Sequence, residues 1–217
     1  MNAQTIALIS GTPAAIGPAT EALLAKMPDV TVWNILDDRL LKEASSRGTV
    51  DAQLTERMQR LIGHATAEGA DAVLLTCSMY GQVAQSTNEP IPVLAADESV
   101  FTKTLTSGFG AVLVVATLES SRADTIARLT AEAAKHTDTP KLLSIVPNGS
   151  FEATGNTDAL LESVVQGVES TTEPYDAIML AQYSLAPIAA ALHDRIGVPV
   201  LAGPQAAADD LVSRIRH

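Results

Sequence analysis

Cysteine, aromatic residues and clustered positive charge are all scarce in this sequence of 217 residues, and each scarcity excludes a class of protein. The single cysteine, Cys77, excludes an internal disulfide and any metal site built on several thiolates. The 14 Lys and Arg residues are scattered against 25 Asp and Glu residues, which gives a net charge of −11. Because nucleic acids and anionic membrane surfaces both require concentrated positive charge, neither is an expected partner.

Long hydrophobic runs and recognisable cofactor motifs are also missing. No window approaches the roughly 20 apolar residues of a membrane helix, and the apolar stretch 5–9 is too short for a signal-peptide core, so we expect a cytoplasmic protein. The four histidines lack metal-ligand spacing. The stretch 11–17 has neither the lysine of a phosphate loop nor the glycine spacing of a dinucleotide site. The sequence therefore predicts no metal and no cofactor.

What the sequence has is aliphatic mass, arranged in alternating segments. Hydrophobic residues make up 47% of the chain and aromatic residues only 3%, which is typical of parallel sheets covered by helices. The predicted strands are Thr5–Ile9, Val30–Leu36, Ala72–Thr76, Val93–Ala95, Ala111–Ala116, Leu142–Val146, Ala177–Ala181 and Val200–Ala202. The predicted helices are Ile16–Met27, Leu54–His64, Ile126–Lys135, Leu160–Val168 and Leu185–Ile196. This alternation indicates crossover units in an α/β fold.

The second half of the sequence repeats the first. Asp71–Cys77 aligns with Asp176–Gln182, and Ala7–Thr12 with Val112–Thr117, at an offset of 105 residues, and Ile91–Ala95 aligns with Val198–Ala202 at an offset of 107. Three matches in one order indicate an internal duplication, although two unrelated units of similar composition are the alternative. We predict two pseudo-twofold-related, Rossmann-like (flavodoxin-like) parallel-sheet halves, residues 1–96 plus 200–217 and residues 97–199.

The duplication predicts where the functional site lies. Ligands bind outside the carboxyl ends of parallel strands, so two such halves would enclose one cleft that Cys77 enters from a strand end. The start of a following helix would favour its thiolate, although a lone cysteine there is also typical of a small buried hydrophobe. Neutral donors in these loops could hold a carboxylate or an enediolate without a metal. The candidate substrate-binding residues are Ser10, Gly11, Thr12, Thr76, Ser78, Met79, Tyr80, Thr117, Ser120, Ser121, Tyr183 and Ser184.

The strand end Thr76-Cys77, the turn 116–120 and the segment 199–201 resemble the aspartate/glutamate/hydantoin racemase superfamily over essentially the whole chain. Its members include amino-acid and hydantoin racemases, maleate isomerase and arylmalonate decarboxylase. The resemblance implies a cofactor-independent isomerase or lyase that acts on a small carboxylic acid. It also implies a cysteine at each of two matching strand ends in a two-base racemase, one for each face of the substrate carbon.

This sequence departs from that pattern, since Cys77 fills the first position but Gln182 fills the second. An amide neither accepts nor releases a proton at useful pH, so we expect proton transfer on one face, as in a decarboxylase or tautomerase. Arylmalonate decarboxylase also keeps one cysteine, but in the second half. Glu119 or Tyr183 could serve as a second base in a racemase. The alternatives are a helix-start carboxylate for Glu119 and a hydrogen bond to substrate for Tyr183.

Other functions also fit the sequence. A small-molecule-binding protein without chemistry would share the two α/β halves, and Cys77 could instead act as a nucleophile in a lyase or a hydrolase. No histidine is placed convincingly as a base for such a nucleophile, and His193 is expected to be structural. A homodimer or higher homo-oligomer is a reasonable expectation for a protein of this kind.

Overall fold

A computed structural model describes residues 4–215, which divide into two compact units, each built on an open parallel sheet flanked by helices. Unit one contains the described residues up to Ser99 and those from Ala207 onward, and unit two runs from Val100 to Ala206. The predicted fold class, two parallel-sheet α/β halves, is therefore confirmed.

Unit one has the strand order β2-β1-β3-β4, with all neighbouring strands parallel. Its strands are β1 (Thr5–Ser10), β2 (Thr31–Leu36), β3 (Ala72–Leu75) and β4 (Val93–Leu94). Its helices are α1 (Ile16–Lys26), α2 (Arg39–Arg47), α3 (Ala52–Ala67), α4 (Gly81–Ser86) and the start of α5 (Glu98–Thr106). The two central strands, β1 and β3, are buried almost throughout, whereas β2 at the edge is partly exposed.

Unit two repeats this arrangement with the order β6-β5-β7-β8, again all parallel. Its strands are β5 (Ala111–Val115), β6 (Lys141–Ile145), β7 (Ala177–Leu180) and β8 (Val200–Ala202). Its helices are the remainder of α5, then α6 (Glu119–Ala133), α7 (Thr157–Glu169), α8 (Ala189–Ile196) and the start of α9 (Gly203–Ile215). The division between the units falls within α5 and within α9.

The predicted strands are found within one residue at each end, because central strands covered on both faces appear in the sequence as continuous apolar runs. The predicted helices are also found. The segment Leu185–Ile196, however, is a 3-10 helix over Tyr183–Ile188 followed by α8, and Pro187 lies in its first part. The short helices α2 and α4 and the two helices shared by the units, α5 and α9, were missed.

One predicted domain boundary is wrong. Residues 200–206 were assigned to the first half, but Val200 of β8 pairs with Ile178 of β7 in the sheet of unit two. The other predicted boundary, after residue 96, lies three residues before the division at Ser99. Both differences have one cause, since the units divide within α5 and α9, which were not predicted from the sequence.

The register of the central strands also corrects the internal alignment. Ile9 pairs with Leu75 in unit one, and Val115 pairs with Leu180 in unit two. The offset of 105 therefore holds for β3 and β7, but β1 and β5 correspond at an offset of 106. A slip of one residue exchanges the two faces of a strand. Gly11, not Thr12, is consequently the counterpart of Thr117.

The long helix before the third strand of each unit begins at a capping side chain. Asp51 accepts a hydrogen bond of 3.0 Å from the backbone N–H of Leu54 at the start of α3. Asn156 accepts one of 3.1 Å from the N–H of Ala159 at the start of α7. Such side chains satisfy backbone donors that the helix itself leaves unpaired. Among the helices of residues 4–215, none combines the length and apolar character that crossing a membrane requires.

Candidate active site

The carboxyl ends of β1 and β3 are neighbours in unit one, because these strands are adjacent and parallel. The Thr76 hydroxyl donates a hydrogen bond of 2.9 Å to the Ser10 hydroxyl, and both side chains are buried. This pair ties the two strand ends together one residue before Gly11 and Cys77. The candidate residues of these two loops are therefore brought together as predicted from the parallel sheet.

Cys77 is largely buried, with 8% of its surface exposed, and is a member of the hydrophobic cluster between the sheet and α3. It precedes a 3-10 helix over Ser78–Tyr80 that continues into α4. A Cβ built on Gly11 would lie 3.7 Å from the Cβ of Cys77 and 3.3 Å from the Cβ of Leu41. The absence of a side chain at Gly11 thus allows the cysteine loop and α2 to approach the end of β1.

Tyr80 holds the cysteine loop against α2. Its ring is fully buried, and its hydroxyl donates a hydrogen bond of 3.0 Å to the backbone carbonyl of Leu40. Burial, followed by the negative charges of Cys77 and Asp37, raises the pKa of Tyr80 to about 12. Tyr80 therefore remains a protonated donor at all ordinary pH values. This hydroxyl is engaged with the backbone of α2, which is a positioning role that the sequence analysis did not foresee.

An ion-pair network anchors α2 from its other side. Arg57 of α3 contacts Asp37 at 2.6 Å and Glu43 at 3.2 Å. Arg47 joins Glu43 at 2.8 Å and the capping residue Asp51 at 2.6 Å. Because Arg57 and Arg47 share Glu43, the charges form a network, which fixes α2 more firmly than isolated surface pairs would. The segment that carries Leu40 and Leu41 is thus held from two directions.

Three further candidates of unit one lie at or in 3-10 helices. Thr12 caps the 3-10 helix Pro13–Ala15, its hydroxyl accepting a hydrogen bond of 3.4 Å from the N–H of Ala14. Ser78 and Met79 follow Cys77 and are partly exposed. Met79 packs against the same hydrophobic cluster as Cys77.

In unit two the strand ends are joined by an amide. The Oε1 of Gln182 accepts a hydrogen bond of 2.9 Å from the backbone N–H of Thr117, and its Nε2 donates one of 2.9 Å to the Thr117 hydroxyl. Gln182 is partly buried, and Thr117 is 5% exposed. By the register of β7 and β3, Gln182 is the counterpart of Cys77. Both polar ends of this amide are therefore engaged with one neighbouring residue.

Glu119 is the first residue of α6, and its side chain is 70% exposed. It forms a two-pronged ion pair with Arg122, which also donates a hydrogen bond of 2.9 Å to the Ser144 hydroxyl. The hydrogen bond from Arg122 is the main cause that lowers the pKa of Glu119. A carboxylate held in its charged form is a weak base, so this environment is typical of the helix-start alternative.

The remaining candidates of unit two lie in the first turns of helices. Ser120 is exposed and Ser121 is partly exposed, both at the start of α6. Tyr183 is buried and Ser184 is partly exposed in the 3-10 helix that follows Gln182. Among residues 4–215, no three His, Cys, Asp or Glu side chains are arranged so that they could hold a metal ion.

The sequence analysis missed the contribution of α2. Leu40 accepts the hydrogen bond of Tyr80, and Leu41 lies beside Gly11. Arg57 pairs with Asp37 next to α2, and none of these four residues was a candidate. A signal was present, because Leu40, Leu41 and Ala44 have helical spacing before Gly48, which ends the helix with a φ of 70°.

Comparison with solved structures finds this fold in several enzymes. Aspartate racemase from Picrophilus torridus matches with a TM-score of 0.74 and 15% identity, over 98% of this chain and 94% of that chain. Allantoin racemase from Klebsiella pneumoniae matches with a TM-score of 0.68 and 18% identity, over 99% and 88%. A liganded arylmalonate decarboxylase variant, with one glycine changed to cysteine and one cysteine to serine, matches with a TM-score of 0.61 and 22% identity, over 98% and 92%. No curated protein matches the sequence significantly.

At these identities the structural matches show the fold, and a family model carries the assignment further. The model described as Asp/Glu/Hydantoin racemase matches residues 14–211, which include Cys77, Thr117 and Gln182. The match confirms the resemblance that the strand-end motifs carry, and it supports an isomerase-like enzyme. The chain belongs to the Asp/Glu/hydantoin racemase family.

Proposed function

We propose that the chain catalyses proton transfer at the carbon next to a carboxylate, with Cys77 as its single acid/base group. The observation that carries the proposal is the pair of register-equivalent positions, a thiol at Cys77 and an amide at Gln182. A thiol with an ordinary pKa near 8.5 can exchange a proton close to neutrality, whereas an amide cannot. Chemistry on one face of the substrate follows from that asymmetry.

The substrate that fits is a small carboxylic acid. The family and the names of its racemases support this class, and the decarboxylase match adds a relative in which a cysteine has been exchanged between positions. In unit one, Ser10 and Thr76 supply neutral hydroxyls at the strand ends next to Gly11 and Cys77. Such donors stabilise the enediolate that forms when a proton or a carboxyl group leaves the α-carbon.

Two reactions need only one thiol, a proton shift and a decarboxylation. In a proton shift, the Cys77 thiolate takes the α-proton, and the electron pair of the broken C–H bond passes into the enediolate until a proton returns to carbon. In a decarboxylation, the bond between the α-carbon and the departing carboxylate breaks, carbon dioxide leaves, and the Cys77 thiol gives its proton to the α-carbon. The resulting thiolate then recovers a proton from water.

A racemase with a second, non-cysteine base receives less support. Glu119 is highly exposed and is paired with Arg122, which lowers its pKa and weakens it as a base. Tyr183 is buried within the 3-10 helix that follows Gln182. One-face proton transfer by Cys77 therefore remains the function we propose.

The test follows α-proton exchange by NMR in deuterated water with aspartate, glutamate and phenylmalonate, the last also monitored for release of carbon dioxide. We expect turnover of at least one of these acids. We expect Cys77→Ala and Cys77→Ser to reduce the rate by roughly 10²- to 10⁴-fold, the usual contribution of one acid/base group. Thr125→Ala is the matched control, because Thr125 is a small buried residue of α6 away from the strand ends.

The outcomes separate the alternatives. Turnover that persists unchanged in Cys77→Ala would remove the thiol from the mechanism. Binding of these acids without exchange or decarboxylation by the unmodified protein would favour the non-catalytic binding protein. Circular dichroism and thermal melting of each variant show whether a lost rate comes from a lost fold.

A further inference from the structure

Gln182 makes both of its hydrogen bonds to one residue, Thr117. Its carbonyl oxygen accepts from the backbone N–H, and its amide nitrogen donates to the side-chain hydroxyl, each at 2.9 Å. Thr117 follows β5 by two residues and precedes Leu118, the residue before α6. The amide of Gln182 thus fixes both the backbone and the hydroxyl of the residue at the end of a central strand.

The orientation of this amide is determined by its partners. A backbone N–H is always a donor, so the Gln182 oxygen must face it, and the NH₂ group must face the Thr117 hydroxyl. The hydroxyl oxygen therefore accepts from Gln182. Its own hydrogen cannot point along the same line and must be directed elsewhere.

The hydrogen of the Thr117 hydroxyl is consequently available for donation. Among residues 4–215, the hydrogen bonds of the Thr117 side chain include one that it accepts from Gln182 and none that it donates, and the residue is only 5% exposed. A buried donor without an acceptor costs free energy, so a group held in this orientation is suited to donate to a bound water or ligand. An acceptor-only group, such as a carboxylate, fits a hydroxyl whose acceptor side is already occupied.

We propose that Gln182 is a positioning residue that turns the Thr117 hydroxyl into a dedicated donor for a carboxylate ligand. The inference rests on the proposed function only where it identifies this ligand as the substrate. It gives Gln182 a role that needs no proton transfer, at the position where a two-base racemase would carry its second thiol.

The test measures binding of phenylmalonate and aspartate by calorimetry, with Cys77→Ala as the parent protein so that turnover cannot interfere. Thr117→Val removes the hydroxyl with little change in shape, and we expect binding to weaken roughly 10- to 100-fold, as for a lost hydrogen bond to a charged group. Thr117→Ser keeps the hydroxyl and should bind within about three-fold of the parent. Gln182→Met should weaken binding by a similar factor to Thr117→Val.

The double variant decides whether Gln182 acts through Thr117. If it does, Thr117→Val with Gln182→Met binds no more weakly than Thr117→Val alone, because the hydroxyl is already gone. Losses that multiply would mean that Gln182 contacts the ligand itself, and would overturn the proposal. A Gln182→Met protein that melts at a lower temperature but binds as the parent does would show a purely structural role, and would also overturn it.

A control and the unmodified protein complete the design. Gln166→Met makes the same exchange at an exposed position of α7 and should leave binding unchanged. A millimolar site would be almost fully occupied at a ligand concentration of about 50 mM. If the parent binds neither acid at that concentration, a carboxylate donor at Thr117 is contradicted. Binding that depends on Thr117 as described, together with an unmodified protein that exchanges no α-proton, would sink the proposed function and leave this inference standing.

Discussion

Unit one and unit two tie their central strands together with different residues at positions displaced by one. In unit one the tie is Thr76 to Ser10, the last pair before Gly11 and Cys77. Their counterparts in unit two are Ala181 and Ala116, which have no hydroxyls, and the tie is made one residue later by Gln182 and Thr117.

The displacement determines which residue ties the central strands in each unit, Thr76 in unit one and Gln182 in unit two. Where the hydroxyl pair holds the strands, the next position needs no structural side chain and can be Cys77. Where that pair is replaced by alanines, the next position must hold the strands itself, and an amide with one donor and one acceptor end is suited to this task. Gln182 therefore supplies the tie that Ala116 and Ala181 cannot make.

The largest expected effect comes from restoring the tie of unit one in unit two. Gln182→Cys alone removes both hydrogen bonds to Thr117, whereas the triple change with Ala116→Ser and Ala181→Thr also supplies a hydroxyl pair. We expect the triple variant to exchange α-protons on a second face and to yield racemic product, with a gain of at least about ten-fold in racemisation. Chiral chromatography of the product after incubation in deuterated water measures the gain.

If the triple variant folds and binds carboxylates but still produces one enantiomer, the proposed difference between the units is contradicted. In that case the identity of the residue at position 182 does not decide the stereochemistry. Gln182→Cys by itself is the control, and we expect it to melt at a lower temperature than the triple variant.

The units differ next in how their edge strand is covered. In unit one α2 follows β2, and Trp33 of β2 meets His64 of α3 edge to face, with ring centres 5.4 Å apart. In unit two a turn-rich segment follows β6, and a cavity of about 540 Å³ lies between β6 and α7, lined by Leu143, Ser163 and Gln166 among others. Pro147 of that segment packs directly on Gly167 of α7.

The glycines of α3 and α7 sharpen this second contrast. A Cβ on Gly167 would lie 2.8 Å from the Cβ of Pro147, so Gly167→Ala should displace the segment and destabilise the protein by about 1–3 kcal/mol. A Cβ on Gly63 of α3 would meet nothing within 4 Å, so Gly63→Ala should stabilise by about 0.5–1 kcal/mol. Urea unfolding of both variants measures the two changes in the free energy of unfolding. If both substitutions stabilise the protein, or both destabilise it, the two units do not differ in how their edge strands are covered.

These contrasts mark the boundary of what sequence alone could predict. The strands were predictable because both faces of β1, β3, β5 and β7 are covered, and Cys77 was predictable as a strand-end residue. The displaced tie was not, because an alignment at a single offset of 105 placed Thr12 on Thr117 and concealed Gly11. Thr117 and Gln182 are 65 residues apart in the sequence, and whether their side chains meet depends on the register of β5 and β7. Sequence patterns fix that register only to within one residue.

The same limit applies to Tyr80 and to α2. A tyrosine three residues after a candidate cysteine is an obvious substrate donor by position, yet its hydroxyl is engaged with the Leu40 carbonyl. Nothing in the spacing of Tyr80 indicates a partner 40 residues away. The helix that carries Leu40 is short, and short helices gain their stability from tertiary contacts more than from local propensity.

Tyr80→Phe tests that contact in unit one. The variant removes the side-chain hydrogen bond to the Leu40 carbonyl, which keeps its place in the first turn of α2, and we expect a loss of about 0.5–1.5 kcal/mol of stability, since the ring itself is retained. Because the pKa of Tyr80 is raised to about 12, the loss should be constant between pH 6 and about 9. Tyr175→Phe in unit two is the control, because the Tyr175 hydroxyl has no hydrogen-bond partner in the described part of the chain. A larger loss for Tyr175→Phe would contradict the positioning role.

The smallest expected effect distinguishes the helix caps, Asp51 of α3 and Asn156 of α7. Asn156→Ala should cost about 1 kcal/mol at any pH, because an amide cap does not titrate.

Asp51 is different, since the backbone N–H of Leu54 and then Arg47 lower its pKa below the ordinary value for aspartate. A carboxylate with a lowered folded-state pKa contributes stability above its unfolded pKa, and this contribution is lost as pH falls through the folded value. Asp51→Asn should therefore differ from the unmodified protein at pH 6, and the difference should shrink as the pH falls below about 4. Urea unfolding at a series of pH values measures the trend, and a difference that stays constant would show that Asp51 does not titrate with folding.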